Sequence, residues 1–367
     1  MLATENLGTI TGKGANGVGR KLLWASLVLA PITLLLRYVF HTGDTVLFVA
    51  SAASLVPLAW LIGESTEHAG EHTGPGIGGV LNASFGNAPE LIIALFAVNE
   101  SLPNVVRGSL AGSVVSNVLL VLGFALVFGG DGQREPLDRF SLLLQLGLVL
   151  TAVLLFLVPS VPGWSGDPER RSLAVATIPV SVVLLLLYVA VTIGSLRRHK
   201  RLHEESGEVA RGGWTLPVAL IALGAATVVT ALISETLVHS LHAFAESAGL
   251  SEFFIAAVIV AIVGNAAEHG GAIVIARRGK MPLATEIAVS SSAQVALLVT
   301  PAVALLSWLI RPALPLSFRP IELATMGGGT ALVALVIADG RARRWKGWLL
   351  VAVYGAVAVA FYASGDR

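Results

Sequence analysis

The chain has no cysteine in 367 residues. Disulfides, iron–sulfur clusters and thiolate chemistry are therefore excluded, though this alone does not identify a compartment. Charge is also scarce, at 13%, against roughly a quarter of residues in an average soluble domain. The net charge is +1, and no basic face or aromatic platform accompanies it, so nothing points to nucleic acid. Hydrophobic residues make up 55% of the chain and gather in long runs. A helix needs about 20 residues to cross a bilayer core. Backbone in lipid must satisfy its own hydrogen bonds, so runs of this length imply helices. They are too continuous for the alternating strands of a membrane barrel.

The pattern predicts an all-α integral membrane protein with eleven spans, near 21–40, 44–63, 76–99, 104–129, 138–158, 171–195, 213–239, 252–276, 282–310, 320–339 and 346–363. The Arg/Glu-rich stretch 196–212 reads as a cytoplasmic linker. It divides the chain into a tail and extra helix (1–43), a first repeat of five helices (44–195) and a second (213–367). Basic residues fix the orientation. With the N-terminus inside, 17 of the 24 Lys and Arg fall on the inner side, which places the C-terminus outside.

Two mid-span segments match: Gly86-Asn87-Ala88-Pro89-Glu90 and Gly264-Asn265-Ala266-Ala267-Glu268. Each precedes a small polar patch in the next span. One patch holds Ser113 and Asn117, the other Ser291 and Gln294. Glu90 to Ser113 and Glu268 to Ser291 are both 23 residues. Thr66-Glu67 and Ser234-Glu235 correspond upstream, so three matches run in the same order, as in an internal duplication. The predicted orientation gives the halves opposite topology. Inverted repeats are a signature of secondary transporters, with the site near the midplane at the repeat interface.

An ionisable residue at membrane depth costs at least ~2.5 kcal/mol and requires a reason. Glu90 and Glu268 are two such residues in matched contexts. Asn87 and Asn265 lie three residues before them, on the same helix face. With Ser113, Asn117, Ser291 and Gln294, they offer two carboxylates ringed by neutral oxygens, which suits a hard cation such as Ca2+. Gly86 and Gly264 are natural helix breaks, and Pro89 fits the first turn of a helix that restarts. Two nearby acids in a dry site need protons or a divalent cation to neutralise them. Ca2+ and H+ would then compete for one pair of groups, which is exchange in its simplest form. Glu67, Glu235 and His269 are candidate proton relays or gates. A lone intramembrane Glu can instead be a hydrogen-bonding contact between helices, but two in matched contexts argue against that. For Ser113 and Ser291, close helix packing serves as well as ligation.

One enzyme motif competes. His68-Ala69-Gly70-Glu71-His72 has the H-x-x-E-H order of a zinc protease, in what reads as a glycine-flanked inner loop. A third ligand and a cleft are not evident.

The stretches GNAPELIIALFAVNE (86–100) and GNAAEHGGAIVIA (264–276) resemble the paired repeats of the calcium/proton exchangers, the CAX branch of the calcium/cation antiporter superfamily. SETLVHSL (234–241) and SSSAQVALLVTP (290–301) resemble the same family. The resemblance runs from the second span onward and includes the lone extra helix. It implies one helix plus two inverted fives, with Glu90 and Glu268 binding the transported Ca2+ and coupling it to H+, and no cofactor. Asn87, Asn265, Ser113, Asn117, Ser291 and Gln294 are the neighbouring polar groups. Pro89 departs from the pattern, standing where Thr or Ala is usual. Expected partners are membrane lipid, Ca2+ and H+, with homo-oligomerisation left open. The expected location is a prokaryotic inner or plasma membrane. Exchange of Na+, K+ or Mn2+ is the nearer alternative.

Overall fold

A computed structural model describes residues 16–131, 137–203, 213–310 and 312–366. All regular structure among them is helical. The chain runs α1 (Asn16–Ser26), α2 (Leu29–Tyr38), α3 (Asp44–Phe85), α4 (Ala88–Asn99), α5 (Pro103–Val115), α6 (Leu122–Gly129), α7 (Arg139–Gly163) and α8 (Arg171–His203). It continues as α9 (Leu216–Ala248), α10 (Glu252–Phe254), α11 (Ala261–Gly264), α12 (Ala266–Arg277), α13 (Met281–Gln294), α14 (Thr300–Ile310), α15 (Pro320–Ile337) and α16 (Arg344–Ser364). π-Helical turns at Ser116–Val121, Ile255–Val260 and Val295–Val299 join α5 to α6, α10 to α11 and α13 to α14.

Among the described residues, nine helical runs are long and apolar enough to span a membrane. The run 252–277, bent by 55°, makes a tenth. The expected third span, 76–99, differs from its prediction. Its first part continues α3, which is helical without interruption from Asp44 to Phe85, and its second part, α4, is a short apolar helix of 12 residues. The inner loop expected around His68–His72 is therefore helix. Glycine and proline near 74–79 signal a break in sequence. The apolar, membrane-competent part of α3 ends at Thr73, yet the helix runs on past it to Phe85. The expected linker also begins as helix, because α8 extends to His203. Residues 204–212 lie outside the described residues.

Of the most apolar 18 residues in Pro103–Gly129, 89% are buried, against 28% in Arg171–Gly194, which places the former run at the centre of the bundle. Glycine lets backbones meet there, as at many helix contacts in membranes. A methyl at Gly112 would clash with the Ala257 carbonyl. One at Gly123 would lie 3.1 Å from the Gly347 carbonyl oxygen, so α6 and α16 cross at a pair of glycines.

The first helices of the two halves, α3 and α9, pack along each other, and α1–α2 is tied to both. Arg20 pairs with Glu64 of α3 at 2.6 Å, Arg37 pairs with Glu235 of α9 at 2.9 Å, and the Thr33 and Ser54 hydroxyls meet at 2.9 Å. A nonhelical segment, 312–319, is buried through Leu314, Leu316 and Phe318. Side chains satisfy its backbone. Leu316 N–H donates to Thr177 Oγ1 and Phe318 N–H to Ser160 Oγ, both at 3.0 Å.

Candidate functional site

Both repeated motifs break their helices in the same way. Asn87, between α3 and α4, has φ −98° and ψ 17°, and Asn265, between α11 and α12, has φ −90° and ψ 10°. This sparsely populated region is where many active-site residues sit. Each Asn is the N-cap of the helix that restarts, and each Glu lies in its first turn. The free N–H groups and dipole at a helix start favour a carboxylate there. Pro89 occupies the first turn of α4, where its missing N–H costs nothing.

Hydrogen bonds across the halves hold the breaks together. Asn87 Nδ2 donates to Gln294 Oε1 at 2.6 Å. Asn265 Nδ2 donates to Ser113 Oγ at 2.9 Å. Asn117 Nδ2 donates to Asn265 Oδ1 at 3.2 Å and to Ser291 Oγ at 2.9 Å. Ser291 Oγ donates to the Glu268 carboxylate. Asn87, Asn117, Asn265, Ser113 and Ser291 are all buried. Burying this many polar groups is tolerated because they bond one another.

Glu90 lies beside this hub, 7% exposed, with Oε2 lacking a protein partner. A cavity lined by Glu90, Ile93, Ser109, Leu110, Ser113, Val260 and Gly264 opens next to it. Gly264 makes room for the carboxylate, since a Cβ there would lie 3.3 Å from Glu90 Oε1. The structure thus brings together Glu90, Glu268, Asn87, Asn265, Ser113, Asn117, Ser291 and Gln294. Gly86 and Gly264 flank the breaks as expected.

The candidate relays are placed differently. His269 adjoins Glu268, and its buried Nε2 has no partner. Glu235 is paired with Arg37 and Glu67 is exposed on α3, so neither joins the hub. Ser109 was not expected from the sequence, and Ser292 belongs to the expected polar patch without being among the expected site residues. Ser109 lies one turn before Ser113 and lines the cavity, and Ser292 Oγ donates to the Val114 carbonyl at 2.9 Å. The spacing of Ser109 to Ser113, four residues on one helix face, was the available signal. The competing motif has its rings engaged. His68 Nδ1 meets Glu71 Oε2 at 3.2 Å and His72 Nε2 meets the Trp214 carbonyl at 2.7 Å. No group of three or more His, Cys, Asp or Glu suited to a metal occurs among the described residues.

Paired broken helices, held at a buried carboxylate hub inside an all-helical membrane bundle, define a secondary transporter. The sequence pattern of the family described as sodium/calcium exchanger protein matches residues 44–197 and again 218–363, and the chain belongs to that family. It is 39% identical over 329 residues to the Ca(2+)/H(+) antiporter ChaA of Bacillus subtilis, covering 88% of this chain and 93% of that one. It is 32% identical over 354 residues to the Ca(2+)/H(+) antiporter of Aphanothece halophytica, covering 92% and 95%. The solved structure of native YfkE superposes with a TM-score of 0.78 at 36% identity, covering 94% of this chain and 99% of that one.

Proposed function

We propose that the chain is a Ca2+/H+ antiporter that exports Ca2+ from the cytoplasm by alternating access. Glu90 and Glu268 serve as the shared site for both ions. The observation that carries this reading is the meeting of two matched Asn–Glu breaks, one from each half, at a single buried hub. The similarity to named Ca2+/H+ antiporters supports the choice of ions.

The site works by competition. Facing inward, Ca2+ settles on two ionised carboxylates and replaces its water with oxygens of the hub. Facing outward, protons neutralise the pair and release the ion. Asn87, Asn265, Ser113, Asn117, Ser291 and Gln294 hold the carboxylates in place or supply further oxygens, and His269 flanks Glu268 as a gate.

The repeats extend over 44–195 and 213–367, with 196–212 between them. The two separate family matches support this division. The distribution of Lys and Arg supports opposite repeat topology and a cytoplasmic N-terminus, the apolar runs of the sequence are read as eleven crossings, and the similarity to the Bacillus subtilis antiporter supports a bacterial plasma membrane. No resident cofactor is part of this reading.

The test is Ca2+-driven proton movement in inside-out vesicles, comparing wild type with Glu90→Gln and Glu268→Gln. Each Gln keeps the shape and cannot ionise. Loss of exchange in both correctly inserted variants is the expected result. Normal exchange in both overturns the site. A response of the wild type to Na+ or K+ but not to Ca2+ overturns the choice of ion and leaves the fold standing.

A further inference from the structure

The helical run 252–264 carries Val260 and Gly264 to the cavity beside Glu90. Its opposite end is held by residues 365 and 366, which follow α16. The Asp366 carboxylate accepts from the N–H of Glu252 at 3.1 Å and from that of Phe253 at 2.9 Å. Ser251 Oγ accepts from the Phe254 N–H at 3.1 Å. Three of the N–H groups that every helix start leaves without an internal partner are thereby satisfied. The Arg319 guanidinium covers the Phe253 ring at 3.5 Å and donates to the Gly365 carbonyl at 2.8 Å, so it holds both partners of the contact. Phe361 of α16 packs edge-on against Phe253, with centroids 5.3 Å apart.

The pinned end also faces α5. A Cβ at Gly108 would lie 2.9 Å from Phe253 Cδ2, and the next residue, Ser109, lines the cavity. The run is continuous helix from 252 to 264, with a π-helical turn in the middle, and is about 15–20 Å long, so a constraint at one end limits how far the other moves. A swing of this run away from α5 would uncover Glu90, and it would break the Asp366 bonds or carry residue 366 with it.

We propose that Asp366 is a positioning residue for exchange. Its carboxylate pins the rod 252–264 and biases the transporter toward the arrangement in which Glu90 is shielded from the face that carries Asp366. The proposal rests on the Glu90–Glu268 site above. It separates from that reading because Glu90→Gln silences exchange from both faces, whereas loss of the pin redistributes access between them.

Apparent affinity at a face scales with the fraction of protein whose site is open to that face. Releasing the pin therefore lowers the half-saturating Ca2+ concentration at the Asp366 face and raises it at the other. The experiment uses full-length protein in right-side-out and inside-out vesicles and measures the ratio of the two half-saturation values. Asp366→Ala is expected to change that ratio about fivefold, the size of a lost helix cap. Asp366→Glu, which keeps both acceptor oxygens, is expected to restore it, and Asp366→Asn to fall between. General destabilisation reduces flux equally from both sides and leaves the ratio alone. An unchanged ratio in Asp366→Ala overturns the proposal. If that variant does not reach the membrane, an unchanged ratio in Asp366→Asn does so.

Discussion

Asn117 and Asn265 meet side chain to side chain at 3.2 Å although 148 positions separate them. Asn265 also donates to Ser113, one turn from Asn117 on α5. The break in one half is thus clamped by the polar patch of the other. Asn265→Ala removes a donor and an acceptor at once. Partners that orient site groups typically carry 10- to 100-fold effects when lost. Ca2+-dependent proton flux per inserted molecule is expected to fall by about tenfold or more. Wild-type flux in this variant would mean the hub is only packing.

Gly264 and Glu90 test the space around the carboxylate. A methyl at position 264 would stand 3.3 Å from Glu90 Oε1. Gly264→Ala is expected to raise the half-saturating Ca2+ concentration several-fold while the protein still folds. Gly270→Ala is the control, since nothing lies within 4 Å of a Cβ there. Equal behaviour of the two variants would show that the Glu90 carboxylate is not confined.

At Gly112 the obstacle is backbone, the Ala257 carbonyl, which cannot rotate away. Overpacking of this kind costs about 1–3 kcal/mol. Gly112→Ala should lower the thermal unfolding midpoint in detergent by several degrees, whereas Gly147→Ala, in open space, should leave it unchanged.

The Arg107–Glu169 pair is asymmetric. The guanidinium is 1% exposed and the carboxylate 36%, at 2.6 Å. Removing Glu169 leaves a buried cation facing only neutral acceptors, Asn104 Oδ1 at 3.3 Å and the Pro315 carbonyl at 3.4 Å, while removing Arg107 leaves a carboxylate that water can reach. Glu169→Ala is therefore expected to destabilise by about 3 kcal/mol, more than Arg107→Met. The double variant should recover much of the loss. Thermal unfolding of the three proteins decides the order, and a milder effect from Glu169→Ala than from Arg107→Met would refute it.

The sequence made the hub legible because duplication wrote it twice. Asn87–Glu90 and Asn265–Glu268 share their spacing, their glycine and their distance to a serine. Pattern could also place the breaks, since Gly86 and Gly264 interrupt otherwise apolar runs. It could not show that α3 continues past His72. Local propensity argues for a turn at the glycines and proline of 74–79, yet the helix runs on to Phe85. The buried segment 312–319 was hidden for another reason. Its backbone is satisfied by Ser160, Thr177 and Trp164, residues more than a hundred positions away. The partner of Glu235 likewise comes from α2, outside both repeats, through Arg37, which no comparison of the two halves would suggest.

The cross-bonding of the two breaks bears on how such a chain can change over generations. Asn87 reaches into the second half for Gln294, and Asn265 into the first for Ser113. These side-chain bonds cross between the halves, so a mutation in one is judged by the other. Two copies that began alike can drift apart on their lipid-facing surfaces. At the hub they must change in pairs, and there the ancestral duplication stays readable.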